Sequence, residues 1–362
     1  MPDGDILSCF SASYAEAREQ FLQACDKRSL KVESRLNPNA KGADGEELFT
    51  DIVKIGSPVA SKALLLISGT HGVEGYSGSA VQTGMLTQDF LASLPADMSV
   101  IMVHAMNPYG FSHDRRVNED NIDLNRNFLD FDAPERPQSD YSNIHGCVLP
   151  SDWGGAALEA ANTGLMSYIA QHGMPAFQAA VTSGQYQYPD GLFYGGDRPS
   201  WSNKTFRSIL SQHLTGAASL AVIDFHTGLG PYGYGELITI GSEHQKALAA
   251  KCYGDQVTDP EAGTSTSAAL DGMLANGISE SLPNADISFV TIEFGTRDTS
   301  TVLTALRADN WLYQKGDLDS SLGQSIKKDI RDSFYPEEDD WKHSVWSRSC
   351  EVIELAMNGL AK

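Results

Sequence analysis

Apolar residues along this chain follow two periods. Short apolar or alternating runs, each closed by glycine or another small residue, predict strands over Ala63–Ser68, Ser99–Ala105, Leu220–His226, Glu236–Gly241 and Ile287–Phe294. Spacing of 3.6 residues predicts helices over Ser13–Lys27, Gly78–Leu94, Ala156–His172, Asn203–His213, His244–Tyr253 and Ser267–Asn276. Further helices over Thr299–Trp311, Leu322–Asp332 and Glu337–Leu360 close the chain, and Ser11 or Ser13 caps the first. Lys31–Leu36 and Leu48–Ile55 alternate as two more strands, joined by the turn-rich 37–46 and expected as an antiparallel edge. Strand, helix, strand between 63 and 105 is the order of a parallel pair. No internal repeat or composition shift marks a linker. Residues 1–362 therefore read as a single α/β domain, with a mixed, mostly parallel twisted sheet flanked by helices.

Three segments fit neither period. Asn107–Phe128 (NPYGFSHDRRVNEDNIDLNRNF) is a polar loop too long and too charged to be mere connection. Gln185–Gly196, rich in tyrosine and glycine, reads as a shaped loop, and 130–150 as a surface excursion.

Composition narrows the class. A chain of 362 residues that is 41% hydrophobic can bury a large core. A formal net charge of −21 argues against nucleic acid or an anionic membrane as partner. The five cysteines are scattered, with no Cys-x-x-Cys pair, and suggest neither a disulfide framework nor a cysteine metal site. Met1–Asp5 carries no basic, apolar leader, and no apolar run reaches the ~18 residues of a membrane span, so the expected location is cytoplasmic.

Candidate chemistry gathers where strands end. After Leu64-Leu65-Leu66-Ile67, a small-residue loop delivers His71 and Glu74, an imidazole and a carboxylate spaced to grip one Zn²⁺. His226 closes a later strand and Glu293 stands near the end of another, placing a third ligand and a base in the same layer. Taken singly, His226 also reads as a hydrogen-bonded core histidine and Glu293 as an ion-pair partner; their joint placement favours the metal. Asp224 shares a strand face with His226, opposite Ile223 and Phe225, and reads equally as its partner or as structural.

The motifs GTHGVEG, NPYGF, RVNEDNIDLNRNF, DFHTG and TIEFGT, in this order over about 60–300, resemble the zinc carboxypeptidase superfamily. That superfamily includes the aspartoacylase and succinylglutamate desuccinylase branch. Within it, the string is most similar to a bacterial family known only as a domain of unknown function. The resemblance implies a zinc-carboxypeptidase-like fold, one Zn²⁺ per chain, and His71, Glu74 and His226 as its ligands. It implies Glu293 as the glutamate that activates the metal's water and Arg116 as the arginine that polarises the scissile carbonyl. It further implies Asn125 and Arg126 as the substrate-carboxylate clamp and Asp123 as the aspartate orienting His71. Arg115 is read as a surface residue. Tyr194 is open to two readings, a pocket wall or a packing residue. Seven other histidines, at 104, 113, 145, 172, 213, 244 and 343, have no motif context and read as structural or solvated.

One departure matters. Carboxypeptidases of this superfamily carry a mobile tyrosine about two dozen residues before the catalytic glutamate, and Leu270–Ile278 contains none. The expected activity is hydrolysis of an amide adjacent to a free carboxylate, on a small peptide or acylated amino acid. The alternatives are an N-acyl amino-acid deacylase and a non-catalytic zinc-binding protein, against which Glu293 and Arg116 speak.

Overall fold

A computed structural model describes residues 6–362 except 89, 92, 93, 138 and 269. Met1–Asp5, read above for the absence of a leader, lies outside the described residues. So do parts of the helices expected over Gly78–Leu94 and Ser267–Asn276.

Eight strands among the described residues form one sheet: β1 (Val32–Lys41), β2 (Glu47–Gly56), β3 (Lys62–Ile67), β4 (Met98–His104), β5 (Ser219–Tyr232), β6 (Gly235–Ile238), β7 (Val257–Thr258) and β8 (Asp286–Gly295). Their order is β1-β2-β4-β3-β5-β8-β6-β7. The centre, β4-β3-β5-β8, is parallel, while β1, β2 and β6 pair antiparallel towards the edges. The sheet is mixed, and the expected antiparallel edge pair is present.

Alternation along the central strands builds two apolar layers. Leu64, Leu66, Ile223, Phe225, Ile292 and Phe294 belong to the layer that takes in the helices Tyr14–Lys27, Gly75–Thr87 and Asp339–Ala361. Leu65, Ile67, Val222, Ile287 and Phe289 belong to the other, with the helices Trp201–His213 and Leu274–Ser281. The second face changes character at its carboxyl end. Beyond Val222 and Phe289, the next residues on that face are Asp224, His226, Thr291 and Glu293. Core and chemistry are successive stretches of one surface.

Several expectations need correction. The first strand does not stop at Leu36 but continues through Pro38 to Lys41, a position an edge strand tolerates because the missing N–H can face away from the ladder. Residues 130–150 are not a mere surface excursion: Tyr141, Ile144 and Val148 are buried against Phe177, Phe193 and Val302. A helix over Met174–Thr182 follows the Gly155–His172 helix, separated by Gly173 at φ +86. The helix placed over Ser267–Asn276 begins instead at Leu274 and runs to Ser281. No helix of the described residues is long and apolar enough to cross a membrane.

The sheet edge is pinned by one hydroxyl. Ser13 caps the first helix by accepting from the Glu16 amide, and the buried Tyr14 next to it reaches β2. Its hydroxyl donates to the Phe49 carbonyl (3.0 Å) and accepts from the Phe49 amide (2.8 Å). Tyr14→Phe leaves both backbone groups unpaired and is expected to cost about 1–3 kcal/mol of stability. Urea denaturation reads this as a lower midpoint, with bound metal unchanged.

Candidate active site

The site stands at the carboxyl ends of β3, β5 and β8. Register puts Ile67 beside Asp224 and His226 beside Glu293 on adjacent parallel strands. His71 and Glu74 arrive on the loop after β3. That loop is docked on the long polar loop: the Gly72 and Val73 amides donate to the carbonyls of Arg116 (3.2 Å) and Arg115 (2.8 Å). A Cβ on Gly72 would lie 1.9 Å from the Gly110 carbonyl carbon, so only glycine permits this approach.

His71, Glu74 and His226 are all buried, and their candidate ligand atoms lie within 4.8 Å of one another. Both imidazoles turn Nδ1 inward. His71 Nδ1 lies 2.9 Å from Glu74 Oε1, His226 Nδ1 lies 2.9 Å from Glu74 Oε2, and the two Nδ1 atoms are 3.1 Å apart. Their Nε2 atoms face carboxylates, His71 towards Asp123 (3.2 Å) and His226 towards Asp224 (2.8 Å). An ionised carboxylate only accepts, so each Nε2–H is held by an aspartate; each Nδ1 faces Glu74, to which it donates when protonated and beside which it offers a lone pair when not. In the deprotonated state the two Nδ1 lone pairs and the Glu74 carboxylate converge on one point, the donor set of a divalent cation. Tetrahedral zinc with Zn–N of about 2.0–2.1 Å would set its nitrogens about 3.3 Å apart, close to the separation seen.

Charge supports the same reading. The cluster holds the carboxylates of Glu74, Asp123, Asp224 and Glu293 against the guanidiniums of Arg116 and Arg126. With both imidazoles neutral and Glu293 ionised, two negative charges are in excess, which one divalent cation neutralises; burial disfavours a charged His226, but Asp224 and Glu74 outweigh it and hold its pKa well above the usual imidazole range. Burial works against the Glu74 carboxylate, but His71 and His226 outweigh it and hold its pKa well below the usual range. Burial first, and then the charge of Glu74, push Glu293 up to about 7. Glu293 Oε1 accepts from the Leu229 amide (2.9 Å), which fixes the carboxylate.

Asp123 is the junction of the site. Its Oδ1 faces His71 Nε2 and accepts from the Asn125 amide, while Oδ2 accepts from Arg116 Nε (2.9 Å). Arg116 Nη1 also donates to Glu74 Oε1 (3.1 Å). Asp224 carries a second duty, accepting from the Thr70 hydroxyl (2.7 Å). Thr70 was not singled out from the sequence, although it sits next to His71.

Arg126 is 2% exposed, and no carboxylate lies within 4 Å of its guanidinium among the described residues. It donates to the Thr182 carbonyl from Nε (3.2 Å) and Nη2 (2.5 Å), and to the Asn125 carbonyl from Nη1 (2.9 Å). Burial lowers its pKa. Asn125 Oδ1 accepts from the Leu274 amide (3.0 Å), leaving its NH₂ as the free donor. Arg115, expected at the surface, is 3% exposed, ion-paired with Asp309 (3.0 Å) and stacked on Tyr313. Tyr194 meets the site through its carbonyl, which accepts from the Asp123 amide (2.8 Å). The aromatic ring against the arginines is that of Phe193, which the sequence reading passed over. His104 is fully buried and stacked on Phe21, a structural histidine.

The chain belongs to the family described as "Protein of unknown function (DUF2817)", whose model matches residues 10–348. Solved structures share its fold. It is similar to bovine thrombin-activatable fibrinolysis inhibitor in complex with tick carboxypeptidase inhibitor, at 13% identity and a TM-score of 0.50 over 96% of this chain and 97% of that one. Carboxypeptidase A of Helicoverpa armigera matches at 14% identity and a TM-score of 0.46, over 90% and 74% of the two chains. Succinylglutamate desuccinylase of Chromobacterium violaceum matches at 16% and 0.37, over 88% and 74%. No curated protein matches the sequence.

The geometry predicts close to one divalent ion per chain. Elemental analysis of purified protein should find it, and His71→Ala and His226→Ala should each lose most of it. Full metal content in both variants would remove these residues as ligands.

Proposed function

We propose that the chain is a zinc-dependent hydrolase that cleaves an amide bond adjacent to a free carboxylate, in the manner of a carboxypeptidase. One observation carries the reading. The buried Arg126 guanidinium, with no carboxylate of its own, shares a site with a His-Glu-His cluster of zinc-ligand type. A buried cation hydrogen-bonded to carbonyls and to no carboxylate is a ready receptor for a substrate carboxylate, and the Asn125 NH₂ adds a second donor. The fold is shared with a protein that binds a carboxypeptidase inhibitor, which supports the same reading.

His71, Glu74 and His226 would hold the metal, with Asp123 and Asp224 fixing the two imidazoles. Zinc, when bound there, lowers the pKa of water and polarises a carbonyl. Glu293 takes the proton of the attacking water and returns it to the leaving amine, a role suited to a carboxyl group whose pKa is raised towards neutrality. Arg116 has Nε and Nη1 committed to Asp123 and Glu74, so Nη2 is the donor left for the developing oxyanion. Arg126 and Asn125 orient the substrate by its carboxylate.

Glu293→Gln is expected to keep metal and fold while losing about 10²–10⁴ in turnover. The base must be ionised, so wild-type kcat/KM should rise with pH along an acid limb. That limb should lie above that of an ordinary glutamate and no higher than about 7, because a bound cation favours the charged form. Near-normal turnover in Glu293→Gln would place the base elsewhere.

Arg126→Ala tests the carboxylate. Zinc content should hold, and activity should fall by roughly 2–4 kcal/mol in transition-state terms. Preference for free acids over their carboxamides should vanish with it. The measurement is a panel of peptides with free C-termini, N-acyl amino acids and their amides, run on zinc-loaded protein. Turnover confined to N-acyl amino acids would favour the deacylase. Equal cleavage of blocked and free substrates by wild type would end the carboxylate reading.

A further inference from the structure

Arg116 and Arg126 share a neighbour. The Phe193 ring centre lies 5.2 Å from Arg116 Cζ and 5.4 Å from Arg126 Cζ, within the range of about 6 Å over which a ring face attracts a cation. The two guanidiniums repel each other; the Asp123 carboxylate attracts both, and the Phe193 ring touches both.

Phe193 holds that place against its own backbone preference. Its φ is +52, the left-handed region that bulky side chains avoid, and its residue is 6% exposed. Neighbouring bonds impose the conformation. The Gln185 amide donates to the Phe193 carbonyl (3.1 Å), the Leu192 amide donates to the Tyr141 hydroxyl (2.8 Å), and the Asp123 amide donates to the Tyr194 carbonyl (2.8 Å). The last bond ties the aromatic segment to the loop that carries both Asp123 and Arg126. Glycine or asparagine would adopt this backbone with less strain. A strained aromatic between two active-site cations points to a function for the ring.

We propose that Phe193 is a positioning residue that sets the spacing between the Arg126 and Arg116 guanidiniums, and so selects substrates whose carboxylate is borne on the carbon next to the amide nitrogen. This rests on the carboxylate role of Arg126. With that spacing held by the ring, moving the carboxylate one carbon further from the amide is the change to which binding should be sensitive.

The test is calorimetric binding of three probes to zinc-loaded protein: N-benzoylglycine, N-benzoyl-β-alanine and N-benzoylglycinamide. Wild type should favour N-benzoylglycine over N-benzoyl-β-alanine by about tenfold, the scale of one desolvated cation–π contact, and over N-benzoylglycinamide by about tenfold or more through its charge-assisted pair with Arg126. Phe193→Leu keeps the backbone demand and most of the volume but removes the ring. It should melt cooperatively, keep its metal, still prefer acid over amide, and lose most of the preference for glycine over β-alanine. Phe193→Tyr should restore that preference. Should the leucine variant not fold, Phe193→Met reads the same ratio. An unchanged glycine to β-alanine ratio in the ringless variant makes Phe193 a core residue only and overturns the proposal. If wild type prefers acid over amide yet binds the two acids alike, Arg126 keeps its role and the Phe193 proposal falls alone. No acid preference in wild type removes both.

Discussion

Uncompensated negative charge in a place shielded from water governs this structure. Four carboxylates converge at the carboxyl edge of the sheet, and only two guanidiniums answer them. Separating such charges from water is costly unless each finds a partner. The chain responds by making single groups serve several others. Asp123 meets an imidazole, a guanidinium and a backbone amide, and Asp224 meets an imidazole and a hydroxyl. Glu293 is pushed up by burial first and by the charge of Glu74 second. The long polar loop and the loop after β3 are joined both by these charges and by backbone bonds from the Gly72 and Val73 amides to the Arg116 and Arg115 carbonyls.

Much of the fold was legible because the central strands are buried on both faces and so read as unbroken apolar runs. What escaped depended on contacts distant in sequence. Pro38 marks a turn in isolation, yet the ladder with β2 carries the edge strand past it. Residues 130–150 look polar as a string, but Tyr141, Ile144 and Val148 are the positions that pack. The short helix Met174–Thr182 carries a proline at its start, where the missing N–H costs nothing, and its tyrosine- and glycine-rich sequel drew the eye away.

The site was legible to different depths. His71, Glu74 and His226 could be placed together because strand ends in a parallel sheet form one layer, and the structure brings them within reach of a single ion. The roles of Arg116 and Arg126 came only through resemblance; spacing cannot say which of a pair of adjacent arginines turns inward. Arg115 turned out to be the more buried of the two, held by Asp309 on a helix nearly two hundred residues away. In the stretch GLFYGG the tyrosine was the more conspicuous aromatic. The distinction lay in backbone conformation, which neither composition nor period reveals.

Three adjacent strands supply His71's loop, His226 and Glu293, so the distances among them are inherited from the regular spacing of hydrogen-bonded chains. The groups that would meet the substrate's far end, Asn125, Arg126 and Phe193, lie instead on connecting segments. Such an arrangement divides the molecule into a part that is hard to retune and a part that is easy to vary. Replacements within 185–196 are therefore the place to redirect what this scaffold accepts, because 107–128 also carries Arg116 and Asp123, which hold Glu74 and His71 and cannot be exchanged without disturbing them.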